Sequence, residues 1–401
     1  MDSRGNRRAS PVRCAYAASV YSRASRNAAA RAAADRGAET FAATAPVGPA
    51  FTMSRPGAPT LVLVTPYLAV ANNGNWRTAA RWARLLAPAW RVILQGAAHP
   101  VTGGRRDDAE VLVALHARRS RAAIAAWRAL HPARALVVAL TGTDLYRDVP
   151  EGDAATCASL ADADRLIVLQ EAAREALPAS ARAKADVVFQ SARSLAPWPR
   201  KRSGVLHCAL VAHLRPEKDP ATVFAAWRRL PPQLPITLTI IGAALDPALG
   251  DAARDLAATD SRVRWSGPRP HAWTRQAIKR AHLLLCPSRM EGGANVVVEA
   301  VTAGTPVLAS RIPGNVGMLG PDYPGYFPVG DSGALAHLLT RLLAEPPRYA
   351  ALNAACAQRA PLFAPDAERA RLRSAIANAA AAARIGRMSG FSPLPSARTP
   401  R

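Results

Sequence analysis

Short apolar runs alternate with helical stretches along most of this chain, and the alternation occurs twice. The first series lies between residues 60 and 189 and the second between residues 206 and 309, with a polar segment that contains two prolines between them. Continuous apolar runs of this kind are typical of parallel strands that helices cover on both faces. The sequence therefore predicts an α/β protein of two doubly wound, Rossmann-like domains, with a ligand cleft at the carboxyl ends of the strands.

The apolar runs also predict the strands and the domain boundaries. We expect strands at 60–64, 91–94, 111–115, 135–140, 165–169 and 186–189 in the first domain, and at 206–211, 236–241, 262–265, 282–286 and 306–309 in the second. We expect a disordered basic extension at 1–57, an N-terminal domain at 58–195, a linker at 196–203, a C-terminal domain at 204–365, a helix at 366–387 that returns to the N-terminal domain, and a disordered tail at 388–401.

Composition restricts the class of partner. The 401 residues include 52 lysines and arginines against 28 acidic residues, a formal net charge of +24. Lysine occurs only at positions 184, 201, 218 and 279, and the arginines are scattered rather than grouped in a stripe with aromatic residues. Because a nucleic-acid surface needs a grouped basic patch, we expect small anions as partners and no nucleic acid.

Membrane, disulfide and metal sites are not expected either. The chain has no run of about eighteen apolar residues, the length that a membrane-spanning helix needs. Its five cysteines are widely spaced and include no C-x-x-C pair, so we expect neither a disulfide framework nor a metal site. We expect the protein to be located in a reducing cytoplasm. Asp162 and Asp164 form a D-x-D sequence, but they precede a strand rather than follow one, and we interpret them as structural.

The strongest local motif is Glu291-Gly-Gly-Ala-Asn-Val-Val-Val-Glu299, which lies between a predicted strand and a helix predicted at 294–303. Gly292 and Gly293 lack Cβ atoms, so a ligand can approach the backbone N–H groups at the start of the helix, where anions are favoured. Glu291 lies at the edge of the loop and Glu299 about two helical turns further on, where each can bind a vicinal diol. The alternative interpretation is an ordinary solvated helix start.

Four further loops follow predicted strands and carry charged or hydrogen-bonding side chains. They contain Gly74 and Arg77; His116, Arg118 and Arg119; Thr141, Thr143, Asp144 and Arg147; and His213, Arg215 and Lys218. Arginine can fork two N–H bonds onto phosphate oxygens, so these loops predict a site for an anion. Three structural alternatives stay open: a plain turn and helix start at Gly74, a packed core histidine at 116, and a helix N-cap at Asp144.

Together these motifs resemble the retaining glycosyltransferases of family 4, which have the GT-B fold of two facing Rossmann-like domains. The resemblance covers about residues 58–380 and is carried by Glu-x7-Glu, the loop before Lys218, and Ala303-Gly-Thr-Pro-Val307. It implies that Glu291 faces the sugar of a donor and that Glu299 binds its ribose. The loop before Lys218 departs from the family pattern G-R-L-x-x-x-K, because His213 replaces the arginine and Arg215 is the nearest substitute.

A further set of segments is similar to the selenosugar-forming members of that family. The segments are 71–77, 115–119, 140–147, 213–219, 288–295, 311–320 and 323–326. Those enzymes join the sugar of a UDP-sugar, UDP-N-acetylglucosamine or a close relative, to selenophosphate through a carbon–selenium bond in selenoneine biosynthesis. The similarity implies these two substrates here, with a selenophosphate synthetase and a selenoneine-forming enzyme as pathway partners. We expect no cofactor and no metal ion, since Arg215 and Lys218 supply positive charge.

These interpretations assign three groups of site residues. The catalytic group is His116, Thr143, Asp144 and Glu291. The donor-binding group is Gly74, His213, Arg215, Lys218, Gly292, Gly293, Ala294, Asn295 and Glu299. The acceptor-binding group is Arg77, Arg118, Arg119, Thr141 and Arg147. Three other functions stay open: sugar transfer to an ordinary hydroxyl group, 2-epimerisation of a UDP-sugar, and binding of nucleic acid by a non-catalytic basic protein.

Overall fold

The computed structural model describes residues 57–68, 73–196, 198 and 204–389. The predicted extension before residue 57, most of the predicted linker and the predicted tail from residue 390 lie outside the described residues. In the part that is described, twelve strands form two six-stranded sheets in which every pairing is parallel. The predicted α/β class with two Rossmann-like domains is therefore confirmed.

The first sheet has the strand order β2-β1-β3-β4-β5-β6. Its strands are β1 Thr60–Thr65, β2 Arg91–Gly96, β3 Ala109–Leu115, β4 Ala135–Ala139, β5 Arg165–Val168 and β6 Ala185–Val187. The helices after them are α1 Gly74–Leu86, α2 Arg121–Leu130, α3 Ala154–Asp162 and α4 Ala179–Arg182. Successive side chains of β1 enter two separate cores, with Leu61 and Leu63 on one face and Val62 and Val64 on the other. Burial on both faces explains why the strand is apolar throughout.

The second sheet has the strand order β12-β11-β10-β7-β8-β9. Its strands are β7 Leu206–Val211, β8 Ile236–Ile241, β9 Val263–Trp265, β10 Leu283–Cys286, β11 Val307–Ser310 and β12 Tyr326–Phe327. Its helices are α5 Pro220–Arg229, α6 Pro247–Thr259, α7 His271–Arg280, α8 Asn295–Val301, α9 Pro313–Leu319, α10 Ser332–Ala344 and α11 Pro346–Arg359. The eleven predicted strands are present within two residues of their predicted ends; the two-residue β12 was not predicted.

Strand order fixes where a ligand binds in sheets of this kind. In the first sheet β2 and β3 lie on opposite sides of β1, and in the second β8 and β10 lie on opposite sides of β7. The chain therefore leaves the central strand in opposite directions, which opens a crevice at the carboxyl ends of β1 and β3 and of β7 and β10. The loops that carry the predicted site residues begin at these ends.

Five short helical segments complete the described chain: Gly104–Arg106, Asp144–Asp148, Glu171–Arg174, Pro216–Lys218 and Ala360–Phe363. The segment Asp144–Asp148 is a single turn of π-helix, whereas the sequence indicated only a loop before a helix. Among the described residues, no helix combines the length and the apolar character that crossing a membrane requires.

The last helix, α12 Pro365–Ser389, packs on the N-terminal sheet rather than on the domain that precedes it. Leu372, Ala375, Ile376 and Ala379 are almost fully buried in the same core as Leu61. Their spacing of three, one and three residues places all four on one helical face. Since the chain crosses from the N-terminal to the C-terminal domain and back, the two domains are connected by two segments.

Replacement of Leu372 by alanine tests this packing. Leu372 has no exposed surface, so we expect Leu372→Ala to lower the free energy of unfolding by about 2–5 kcal/mol, as for other buried leucines. Ile385 on the same helix is 66% exposed, and Ile385→Ala should change it by less than about 0.5 kcal/mol. Thermal or guanidinium unfolding measures both, and equal effects of the two changes would contradict the docking of α12.

Candidate functional site

The two domains meet where their glycine-containing loops face each other. A methyl group placed on Gly292 would lie 2.7 Å from the backbone nitrogen of Gly142, and one placed on Gly293 would lie 2.6 Å from Cβ of Leu169. Such distances do not occur in real structures, so neither position accepts a side chain without movement of the facing domain. The close approach that the sequence interpretation attributed to a ligand is made here by the N-terminal domain. Donor contact by Gly292 and Gly293 stays a prediction.

Glu291 is held in the crevice between β7 and β10. Its Oε1 accepts hydrogen bonds from Nζ of Lys218 and from Oγ of Ser288, both at 2.6 Å. Lys218 ends the short helix after β7, Glu291 follows β10, and the carboxylate is 7% exposed. Parallel neighbouring strands bring together two residues that are 73 positions apart in sequence. A buried carboxylate with a lysine counter-ion is the most strongly constrained charged pair of this loop.

The cysteine that ends β10, next to this pair, is also buried. The Cys286 side chain, one residue before the loop, is fully enclosed, and burial, aided by the charge of Glu291, raises the pKa of its thiol to about 12. The thiol is therefore neutral at physiological pH, and Cys286 packs as a small apolar residue, as the sequence indicated.

The remaining predicted residues of the β7 loop lie around Lys218. Nδ1 of His213 accepts the backbone N–H of Ala243 at 3.2 Å, which ties this loop to the loop after β8. The guanidinium of Arg215 is half-exposed and lies 3.9 Å from the carboxylate of Glu217. Arg289 makes a closer ion pair at 2.9 Å with Asp219, whose backbone is left-handed at φ 45°. The loop thus carries two exposed arginines beside the buried Lys218–Glu291 pair.

Glu299 has partners that the sequence did not predict. Its Oε1 lies 2.6 Å from Nε2 of His271, the first residue of α7. The buried Arg275, one turn further along α7, donates to the carbonyl oxygens of Glu299 and Arg193, each at 2.6 Å. Burial lowers the pKa of Arg275, although Glu299 opposes the shift. The sequence did contain a signal for His271, because this residue begins a helix that follows a strand of the second sheet.

Arg77 belongs to this side of the cleft. Burial lowers its pKa, and the charge of Glu299 opposes that shift, so the guanidinium is near enough to Glu299 to sense its charge. The sequence predicts Arg77 as an acceptor-binding residue together with Arg118, Arg119 and Arg147, and that role stays a prediction. The second carboxylate of the Glu-x7-Glu motif is a further neighbour whose charge reaches Arg77.

His116 and Asp144 form a buried unit after β3 and β4. The carboxylate of Asp144 is wholly buried and accepts backbone N–H groups of Thr141 and Gly142 at 2.9 Å and of Ala117 at 3.0 Å. These contacts are not those of the helix N-cap left open for Asp144, because the helical turn begins at Asp144 itself and the donors Thr141 and Gly142 precede it. The catalytic assignment of Asp144 stays a prediction.

His116 adopts a left-handed backbone at φ 70°, which is uncommon for a residue other than glycine. Its Nδ1 accepts the N–H of Arg119 at 3.4 Å, and its Nε2 lies 3.0 Å from Oγ1 of Thr143. Nδ1 also lies 3.7 Å from a carboxylate oxygen of Asp144, so the tautomer of the ring decides which nitrogen donates. Strained backbone of this kind concentrates at functional sites, so His116 and Thr143 stay candidate site residues of this domain.

The arginines of the N-terminal domain are already paired. Nε of Arg147 lies 2.9 Å from the buried carboxylate of Asp148, and Arg118 lies 3.8 Å from Asp148 and 3.3 Å from Asp153. Burial lowers the pKa of Arg147, but the hydrogen bond and charge of Asp148 raise it by more, with smaller contributions from acidic neighbours that include Glu217 of the facing domain. Arg119 stacks on the ring of Tyr67 at 5.1 Å. The structure therefore brings Arg118 and Arg147 together, on a carboxylate of the protein itself.

A second contact closes the domains beside the glycine loops. Gln170, wholly buried two residues after β5, donates from Nε2 to the hydroxyl of Tyr146 at 2.6 Å and accepts the N–H of Ala173 at 3.1 Å. A methyl group on Gly317 of α9 would lie 2.6 Å from Cδ of Gln170 and would overlap its Oε1. The backbone of α9 at Gly317 thus packs directly against the side-chain amide of Gln170.

Comparison with known proteins agrees with this geometry. Residues 200–360 match the family model described as Glycosyl transferases group 1. This part of the chain is therefore similar to the group 1 glycosyltransferases. Glycosyltransferase 1 domain-containing protein 1 of Xenopus tropicalis is 31% identical over 151 residues, which cover 37% of this chain and 43% of that protein. D-inositol 3-phosphate glycosyltransferase of Corynebacterium efficiens is 33% identical over 126 residues, 29% of this chain and 30% of that protein. The chain spans less than half the length of both curated relatives.

Solved structures share the arrangement of both domains. Sucrose-phosphate synthase of Thermosynechococcus elongatus superposes with a TM-score of 0.65 at 16% identity, over 83% of this chain and all of that one. HepE of Anabaena, solved with UDP and glucose, superposes with a TM-score of 0.61 at 16% identity, over 80% of this chain and 99% of that one. At such identities the likeness establishes the fold, which is the GT-B fold.

Replacement of Gly317 by alanine tests the contact between the domains. Alanine favours a helix by up to about 1 kcal/mol over glycine, yet its methyl group would overlap Gln170 and force the domains apart. We expect Gly317→Ala to lower stability by about 1–3 kcal/mol, as overpacking does, and to increase the radius of gyration in small-angle X-ray scattering. Gly333 begins an exposed turn of α10 and is the control, since Gly333→Ala should not reduce stability. Identical behaviour of the two variants would show that this contact does not hold the cleft closed.

Proposed function

We propose that this chain transfers the sugar of a UDP-sugar, with UDP-N-acetylglucosamine as the first donor to test, to selenophosphate, forming a carbon–selenium bond. The observation that carries the proposal is the buried Lys218–Glu291 pair in the crevice of a group 1 glycosyltransferase domain, across from His116 and Thr143. The similarity of the loop segments to selenosugar-forming enzymes supports the acceptor, and the structure of Anabaena HepE with UDP and glucose supports a UDP-linked donor.

The donor side is supported by the charges of the C-terminal domain. A nucleotide diphosphate carries negative charge that Lys218, with the exposed Arg215, can neutralise at the mouth of the crevice. Glu299 then lies beside Arg77, Arg275 and His271, where its carboxylate can accept the hydroxyl protons of a ribose. Glu291 faces the sugar in this arrangement, because it precedes the motif's first glycine and its side chain is more buried than that of Glu299.

The hydrogen bonds that Asp144 accepts support selenophosphate as the acceptor. An alcohol acceptor benefits from a base that removes its proton, whereas selenophosphate is an ionised nucleophile and needs mainly electrostatic placement. The Asp144 carboxylate accepts four backbone N–H groups, which suits an acceptor that requires no strong base from this residue. Arg118, Arg119 and Arg147 supply positive charge nearby, and a doubly charged acceptor would compete with Asp148 for them.

The decisive experiment supplies the purified protein with selenophosphate and a panel of UDP-sugars and detects selenium in the sugar product by mass spectrometry. Parallel reactions offer simple sugars and alcohols as acceptors, or no acceptor. Selenosugar formation that persists in EDTA is the expected result, because protein cations replace the divalent ion. Products only with alcohols would identify a hydroxyl acceptor, interconversion of UDP-sugars without acceptor would identify an epimerase, and loss of activity in EDTA would contradict metal independence.

Two carboxylate replacements separate the nucleotide from the sugar. We expect Glu299→Ala to weaken UDP binding by about 1.5–3 kcal/mol, because the ribose loses a charged hydrogen-bond acceptor. Glu291→Ala should leave UDP affinity near that of the parent and reduce turnover, because its carboxylate faces the sugar. Glu345, a surface carboxylate of the same domain, gives the control Glu345→Ala. Calorimetric titration with UDP measures all three, and parent-like affinity in Glu299→Ala would show that the ribose lies elsewhere.

A further inference from the structure

Arg81 of α1 is a link between the domains. Its Nε donates to both oxygens of the Glu368 carboxylate, at 2.8 and 3.1 Å, and its Nη1 donates to Oδ1 of Asn295 at 3.0 Å. Glu368 belongs to α12 and is wholly buried, where it also accepts the indole N–H of Trp82 at 2.7 Å and both donors of Ser191. The guanidinium is thus fixed within the N-terminal domain at one edge and touches the first residue of α8 at the other.

This contact determines which way the Asn295 amide faces. A guanidinium only donates hydrogen bonds, so it can bind the amide oxygen of Asn295 but not the amide nitrogen. The NH2 group must then face away from Arg81, and Nδ2 lies on the side of Gly74, 3.7 Å from the position of a methyl group there. Nδ2 donates to no residue that the structure describes, while Oδ1 is occupied. Asn295 is half-buried between Glu291 and Glu299 of the motif.

We propose that Arg81 is a positioning residue that turns the Asn295 amide so that its NH2 group donates to a diphosphate oxygen of the UDP-sugar. The inference rests on the proposed function and adds a residue of the N-terminal domain to donor recognition. An N–H donor suits an anionic oxygen, whereas the reversed amide would present its oxygen to the phosphate and repel it. Arg81 acts through Asn295 and contacts no substrate atom itself.

Asn295→Asp separates this role from a purely structural one. Aspartate keeps an acceptor for Arg81 and adds a charge to the pair, so the link between the domains is preserved, but the NH2 donor is replaced by a second carboxylate oxygen. We expect the melting temperature to be no lower than that of the parent, and the KM for UDP-sugar to rise about tenfold or more, the factor for losing one hydrogen bond to a charged group. Asn353→Asp makes the same change on the exposed side of α11 and should alter neither quantity.

Arg81→Lys provides the second arm. Lysine keeps a cation beside the buried Glu368, which protects the fold, but one ammonium group cannot also hold Asn295 in a fixed plane. We expect the KM for UDP-sugar to rise about threefold or more with the melting temperature nearly retained, since a freely rotating amide presents its donor only part of the time. In the double variant with Asn295→Asp, the effects on KM should be less than additive, because both changes act on the same amide.

Each outcome decides the inference. Parent-like KM in Asn295→Asp, with stability retained, overturns the donor role, and a lower melting temperature in that variant overturns the link to Arg81. Fully additive effects on KM would separate Arg81 from Asn295. If the parent protein turns over no UDP-sugar, the proposed function fails on its own; the link is then judged from UDP affinity by calorimetry and from a stability cycle of the same four proteins.

Discussion

The backbone contact between Gly142 and Gly292 is the constraint on which the site depends. A side chain on either glycine would overlap the other loop, so only this pair allows the carboxyl edges of the two sheets to meet directly. The loops that meet carry Thr143 and His116 on one side and Glu291 with Lys218 on the other. Gly317 packs against Gln170 in the same way, since a side chain there would also overlap the facing domain. The domains therefore close because these glycines have no side chains, and closure brings polar groups of both domains to one cleft.

The net charge of +24 gives little guidance to the site, because most of the relevant cations already have partners. Arg118 and Arg147 share Asp148, Arg81 is bound to Glu368, and Lys218 is bound to Glu291. Removing the cation of such a pair would leave an uncompensated buried charge. Under the proposed function, an anionic acceptor would compete with Asp148 for Arg118 and Arg147, and its affinity would be a difference between ion pairs.

Local patterns in the sequence were sufficient for the fold, and contacts between distant segments were not. Apolar runs depend on neighbouring residues, so strands such as β7 were placed at their exact ends. The π-turn at Asp144 arises because its carboxylate caps backbone N–H groups on two loops, 27 residues apart, which no local pattern encodes. The effect of Glu299 on Arg77 also joins distant segments, and a helical arginine such as Arg81 has no distinctive sequence signal. Lys218 was singled out because lysine is rare in this chain.

The pair of Lys218 and Glu291 also explains how one lysine can act in both states of the site. A carboxylate that is 7% exposed is costly without a counter-ion, so Lys218 is needed by Glu291 before any donor binds. Under the proposed function, a diphosphate would bring further negative charge to the same crevice, and Lys218 has three donor protons with which to hold an oxygen of each group. Arg215, half-exposed and only 3.9 Å from the Glu217 carboxylate, is the cation with the least to lose on turning towards the phosphates. Under the proposed function, Arg215 takes the role of the arginine that His213 replaces, from a more exposed position two residues later in the loop.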